Sequence, residues 1–202
     1  MCIRNSKKIL TGVYGGSFNP IHIGHTSMAH EIVSCGLVDE LWLVVSPQNP
    51  LKTDGLWDDA FRLELARIAT DGLDCVKVSD VEFYLPKPNY MFTTLQFLSN
   101  KHPDREFVLI IGMDNWACFS KWYRWQDIIK QYRLIVLPRN SGGVTDDVSF
   151  AIPPFSAGVT FADVKLVDMS SSWVRTQIAE NPLYDGAGLL PSVWKKILSK
   201  KL

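Results

Sequence analysis

Two of the four histidines, His22 and His25, stand three positions apart in the string Gly15-Gly16-Ser17-Phe18-Asn19-Pro20-Ile21-His22-Ile23-Gly24-His25. In the first turn of a helix, residues at this spacing share a side. Two imidazoles beside the open amides of a helix start would suit an anion, above all a phosphate. Gly15 and Gly16 let the backbone approach a ligand and expose its N–H groups. Pro20 stiffens the turn, and Gly24 removes a side chain that would stand between the histidines. The spacing is neither the dinucleotide G-x-G-x-x-G pattern nor a Walker A loop, which needs Gly-Lys-Ser/Thr. No carboxylate or thiolate lies close enough in sequence to complete a metal set, so no resident metal site is expected. For either histidine alone, a helix-capping or buried structural role explains as much; it does not explain the whole string.

A second group of chemistry-bearing residues lies near the other end, Asp168-Met169-Ser170-Ser171-Ser172-Trp173-Val174-Arg175. Serines at a helix start cap amides or offer hydroxyls to an anion. A cation there opposes the helix dipole at a cost of some tenths of a kcal/mol up to ~1. An anion held by Arg175 would offset that cost. The alternative is a local ion pair with Asp168 or Glu180.

Elements must bring these two groups together. Residues 9–14, 41–46, 107–111 and 134–137 are short runs rich in Val, Ile and Leu, the pattern of strands buried on both faces of a parallel sheet. Residues 76–78 and 165–167 are weaker strand candidates. Helices are expected over 24–35, ending at Gly36 as a C′ residue, and over 58–70, with Asp58 as N-cap. Further helices are expected over 91–101, 125–131, 171–179 and 192–200, the last opened by Pro191. Alternating strands and helices predict an α/β fold with a doubly wound parallel sheet. Ligands in such folds sit at the carboxyl ends of strands, near a switch point. The polar stretches 46–56 and 140–149 read as loops, the first shaping a pocket and the second on the surface.

The string from Gly15 to His25 matches the G-x-F-x-P-x-H-x-G-H signature and is similar to the nucleotidylyltransferase superfamily, which implies its Rossmann-like fold. His22-Ile23-Gly24-His25 also resembles the signature of class I aminoacyl-tRNA synthetases, a distant relative. Met169 to Arg175 resembles the I-S-S-T-x-I-R motif of the same superfamily. Weaker matches in the right order resemble bacterial nicotinate-nucleotide adenylyltransferases: Ile111-Gly112-Met113-Asp114, Phe119-Ser120-Lys121-Trp122, Arg139, Tyr90 to Leu95, and Leu190-Pro191-Ser192-Val193.

The resemblance implies adenylyl transfer from ATP to nicotinate mononucleotide. It makes His22, His25 and Arg175 the catalytic set. Gly15, Gly16, Ser17, Phe18, Gly112, Asp114, Ser170 and Ser171 would join them in binding ATP. Lys52, Tyr90, Thr94, Trp122 and Arg139 would bind the acceptor, with Trp122 stacking on the pyridine ring. Mg²⁺ would arrive with ATP. The chain departs from the family in three places: Asn19 stands for Asp, Leu51 for a histidine before Lys52, and Met91 for the threonine after Tyr90. The last bears on nicotinate against nicotinamide. Rival readings are another transferase of the superfamily, such as a pantetheine-phosphate adenylyltransferase or a cytidylyltransferase, or a catalytically silent nucleotide-binding module.

Composition sets outer bounds. The 202 residues are 47% hydrophobic, enough for one domain, its helical C-terminal part beginning near residue 170. Lys+Arg and Asp+Glu balance at 21 each, which gives no basic footprint for nucleic acid. Cys2, Cys35, Cys75 and Cys118 are dispersed, which argues against zinc and disulfides; the last three, flanked by apolar residues, are expected to be buried thiols. Neither a leader nor a membrane span is legible, so the expected location is the cytoplasm and the expected partners are small molecules. A homo-oligomer is left open.

Overall fold

The computed structural model describes residues 8–47, 55–138 and 152–200. The order of elements is β1 (Ile9–Gly16), α1 (Ile23–Ser34), β2 (Glu40–Val45), α2 (Asp59–Thr70), β3 (Val76–Ser79), α3 (Met91–Lys101), β4 (Arg105–Gly112), α4 (Met113–Ala117), α5 (Trp125–Gln131), β5 (Arg133–Leu137), β6 (Val159–Phe161), α6 (Ser171–Glu180) and α7 (Pro191–Ser199). The six strands form one parallel sheet in the order β3-β2-β1-β4-β5-β6. The chain winds outward from β1 in one direction, then returns to lay β4 on its other side. The carboxyl ends of β1 and β4 therefore flank the switch point at which doubly wound folds open a ligand crevice.

The apolar runs are continuous because both faces of the sheet are covered. In β2, Leu41, Leu43 and Val45 belong to the core layer under α1, α2, α6 and α7, while Trp42 and Val44 belong to the layer under α3, α4 and α5. Leu41 and Leu43 are fully buried, as are Leu95 and Leu109 on the opposite face. Each such side chain contributes about 1.5–3 kcal/mol relative to exposure.

The helix ends follow their chemistry. Asp58 caps α2 by accepting from the Phe61 amide at 2.9 Å. Gly36, at φ +68°, closes α1, its amide bonding the Val33 carbonyl and the Leu37 amide the Ile32 carbonyl. Pro191 opens α7.

Two expectations are corrected. Residues 165–167 form no strand: Val164 and Leu166 pack into the first core layer in irregular conformation. The sixth strand is β6, an edge strand pairing with β5 from Leu134 opposite Val159; with only three residues, and Phe161 half-exposed, its apolar signal is weak. Nor are the three cysteines expected to be buried found so. Cys35 lies at the solvent end of α1, Cys75 is exposed in a left-handed turn at φ +61°, and Cys118 is half-buried. Apolar neighbours in sequence do not bury a residue at a helix end or turn.

Candidate active site

The loop between β1 and α1 carries both histidines. Phe18 is buried at φ +44° and meets the His25 ring edge-on at 5.0 Å between centroids. His22 occupies the N-cap position of α1 with extended backbone. The two imidazoles lie 3.8 Å apart, tilted by 33°. The His22 amide donates to His25 Nδ1 at 3.3 Å. With Nδ1 accepting, a neutral His25 ring carries its proton on Nε2 and is a donor there. His22 is buried, and desolvation pushes its pKa down to about 4, so it is neutral near neutral pH. Its Nδ1 is buried without a partner among the described residues. A Cβ on Gly24 would sit 3.0 Å from the His22 ring and 3.2 Å from the Val167 carbonyl oxygen, so only glycine leaves the ring its place without displacing a neighbour.

The far end of the chain docks on this loop. Arg175 Nη1 donates to the Asn19 carbonyl at 2.6 Å and Nη2 to Ser172 Oγ at 3.2 Å. Ser171 Oγ donates to the Pro20 carbonyl at 2.9 Å. Ser170 is the N-cap of α6, accepting from the Trp173 amide. The Ile23 amide, first in α1, donates to the Gly188 carbonyl. Imidazoles and guanidinium thus meet across one short loop, and Arg175 pairs with backbone instead of with Asp168 or Glu180. Two of its five N–H donors are committed to these bonds.

Two polar residues brace the loop from below. Arg62 is 1% exposed. Its Nε donates to the Trp57 carbonyl, Nη1 to the carbonyls of Ser17 at 2.5 Å and Ser46 at 2.9 Å, and Nη2 to that of Pro47. Burial lowers its pKa, with the Asp59 and Asp58 charges acting the other way. Asn19 uses both ends of its amide: Nδ2 donates to the Gly55 carbonyl, and Oδ1 accepts from the Trp57 amide, each at 3.0 Å. Reading Asn19 only as a charge missing beside the phosphate loop overlooks this bridge, which ties the segment before α2 to the loop.

Beside the loop a cavity of about 210 Å³ opens at the carboxyl ends of β1 and β4, walled by Tyr14, Gly15, Tyr90, Lys121, Trp122 and Tyr123. The rings of Tyr90 and Tyr123 lie 4.6 Å apart. Burial, with the Asp114 charge second, pushes the Tyr14 phenol up to about 12. A Cβ on Gly15 would meet Met91 Cε at 2.5 Å, so Met91 projects into the room this glycine provides. Gly112 does the same for the Asp114 carboxylate in the first turn of α4. Glu82 forms part of the wall, its pKa raised by burial against hydrogen bonds from Ser46 and Thr94. Thr94 is fully buried behind it, its hydroxyl 2.7 Å from Glu82 Oε1, and so is not itself on the wall.

The structure therefore gathers Gly15, Gly16, Ser17, Phe18, His22, His25, Ser170, Ser171 and Arg175 about one loop. It places Tyr90 and Trp122 on the cavity wall. Lys52 and Arg139 lie outside the described residues. Among the described residues no three His, Cys, Asp or Glu side chains gather as a metal site, and no helix is long and apolar enough to cross a membrane. Sequence reasoning missed Arg62, Glu82 and Tyr14. Arg62 left a readable trace, a charged residue in line with Leu65, Ala66 and Ala69 on the buried face of α2.

A sequence model of the cytidylyltransferase-like family matches residues 13–177. A protein of Bacteroides thetaiotaomicron described as "Probable nicotinate-nucleotide adenylyltransferase" is 40% identical, the match covering 98% of this chain and 95% of that protein. One of the same description from Bacteroides fragilis is also 40% identical, covering 96% and 93%. Among solved structures, Plasmodium falciparum nicotinic acid mononucleotide adenylyltransferase complexed with NaAD superposes with a TM-score of 0.77 at 19% identity, covering 96% of this chain and 97% of that one. At that identity the likeness is one of fold.

Proposed function

The chain belongs to the cytidylyltransferase-like family and, within it, to the nicotinate-nucleotide adenylyltransferases; from that premise we propose that it moves the adenylyl group of ATP onto nicotinate mononucleotide, yielding deamido-NAD and pyrophosphate. The observation that carries this reading is the convergence of His22, His25 and Arg175 on one loop beside an aromatic-walled cavity.

The chemistry asks little of a nucleophilic side chain. The 5′-phosphate of the acceptor is already an anion near neutral pH and attacks the α-phosphorus in line, with pyrophosphate leaving. Positioning and charge stabilisation then supply the catalysis. The His25 Nε2–H and the Arg175 N–H groups that have no partner among the described residues are donors suited to the phosphate oxygens. His22, neutral in its buried place, adds polarity without a second full charge. The Tyr90, Trp122 and Tyr123 rings suit the flat pyridine ring of the acceptor. Mg²⁺ belongs to this proposal as the companion of ATP, where it would offset phosphate charge while keeping several of its waters. Small-molecule substrates of this kind support work in the cytoplasm, with small molecules as partners.

Pyrophosphate release measured with ATP or CTP against nicotinate mononucleotide, nicotinamide mononucleotide and pantetheine phosphate tests the reading. Turnover is expected with ATP and nicotinate mononucleotide. Turnover only with CTP or pantetheine phosphate, or ATP binding with no turnover, would replace it with one of the rivals. His25→Ala is expected to lower kcat by roughly a hundredfold or more with the fold intact, the usual scale for losing one charge-stabilising donor. Wild-type turnover in that variant would remove His25 from the mechanism.

A further inference from the structure

The loop between β1 and α1 is held by its carbonyls. Ser17 is gripped by Arg62, Asn19 by Arg175 and Pro20 by Ser171. In a trans peptide the C=O and the following N–H point in opposite directions. Drawing the Ser17 carbonyl onto the buried guanidinium therefore turns the Phe18 N–H away from it. Phe18 itself stands at φ +44°, a left-handed conformation that a bulky side chain does not keep unless its surroundings impose it. Arg62 also holds the Ser46 and Pro47 carbonyls where β2 ends, and Ser46 itself lines the cavity. One planar group thus sets the phosphate loop and the acceptor cavity in register. It bonds four carbonyls and no carboxylate among the described residues.

We propose that Arg62 is a positioning residue for adenylyl transfer: from beneath the loop it aims the backbone amide after Ser17 at the polyphosphate and fixes that loop against the acceptor cavity. This rests on the reading of the protein as an adenylyltransferase. Lysine cannot replace the guanidinium, because a single ammonium lacks the flat fork that reaches several carbonyls at once.

The test is Arg62→Lys, with Arg62→Gln beside it, assayed with ATP and nicotinate mononucleotide. The folded fraction is counted by circular dichroism at low temperature and kcat is expressed per folded molecule. Amides aimed at charge that grows in the transition state predict kcat and kcat/KM for ATP falling together by about tenfold or more, with KM for nicotinate mononucleotide within about twofold. A folded variant of either kind with kcat within about twofold of wild type overturns the proposal. So does failure of both variants to fold, which would make Arg62 a purely structural residue. An inactive wild type would sink the adenylyltransferase reading, and this proposal with it; an active wild type beside an equally active Arg62→Lys sinks this proposal alone.

Discussion

Asn19→Asp changes one nitrogen for oxygen at a residue that is 3% exposed. The Trp57 amide keeps its acceptor, but the Gly55 carbonyl loses its donor and faces a carboxylate instead. The Gly55 carbonyl can turn to water, but the new carboxylate is buried with one donor fewer and an oxygen facing it, which costs about 1–3 kcal/mol, so a loss of about 2 kcal/mol is expected near pH 7.5. Protonating the new acid restores a donor toward Gly55, so its pKa must rise in the folded state. Between the ordinary carboxylate value and that raised one, the native variant binds more protons than the unfolded chain, so its stability relative to wild type falls as pH rises through the window. Urea unfolding of both proteins should show the full deficit at about pH 7.5 and less than half of it at about pH 4.5. A deficit below about 0.5 kcal/mol at the higher pH, or one that does not shrink on acidification, would refute the two-ended role assigned to the Asn19 amide.

Two further outcomes are expected. His22 titrates at about 4 in the folded protein against an ordinary 6.5. The unfolded chain takes up a proton in that interval that the native chain refuses, so stability is full above about pH 6.5 and falls by ~3 kcal/mol as pH drops toward 4. Denaturation of wild type and His22→Asn across this range should show the slope in the first and its loss in the second; equal slopes would remove the buried imidazole as its source. Gly24→Ala should not yield the stabilisation of about 1 kcal/mol that alanine brings to a helix, because the new methyl meets the His22 ring and the Val167 carbonyl. Thermal unfolding and kcat measured together check this; a variant both more stable and fully active would show that the ring can move without consequence.

Most of the frame was legible because it rests on local pattern. Strand β2 reads as ELWLVV since both of its faces are covered, and α1 stops where Gly36 can turn. The string from Gly15 to His25 was legible as the turn from the first strand into the first helix, because glycines and proline at that spacing break regular structure there. What escaped was bonding across the fold. Arg62 grips carbonyls up to 45 positions away, and nothing beside it in sequence shows them. Asn19 was legible as a departure but not as a bridge to Gly55 and Trp57, and Thr94 matched a motif while its hydroxyl had been spent on Glu82. Strand β6 was missed because an exposed edge of three residues carries no apolar run.

Ser171 and Arg175 reach their carbonyl partners across 151 and 156 positions of chain. A ribosome therefore delivers the imidazoles early and the guanidinium late. While synthesis is under way, the strands can assemble around β1, but the Asn19 and Pro20 carbonyls still lack their partners. With Arg175 in its proposed role, the site is complete only once the closing helices are made, and a polypeptide ending short of α6 is expected to lack adenylyl transfer.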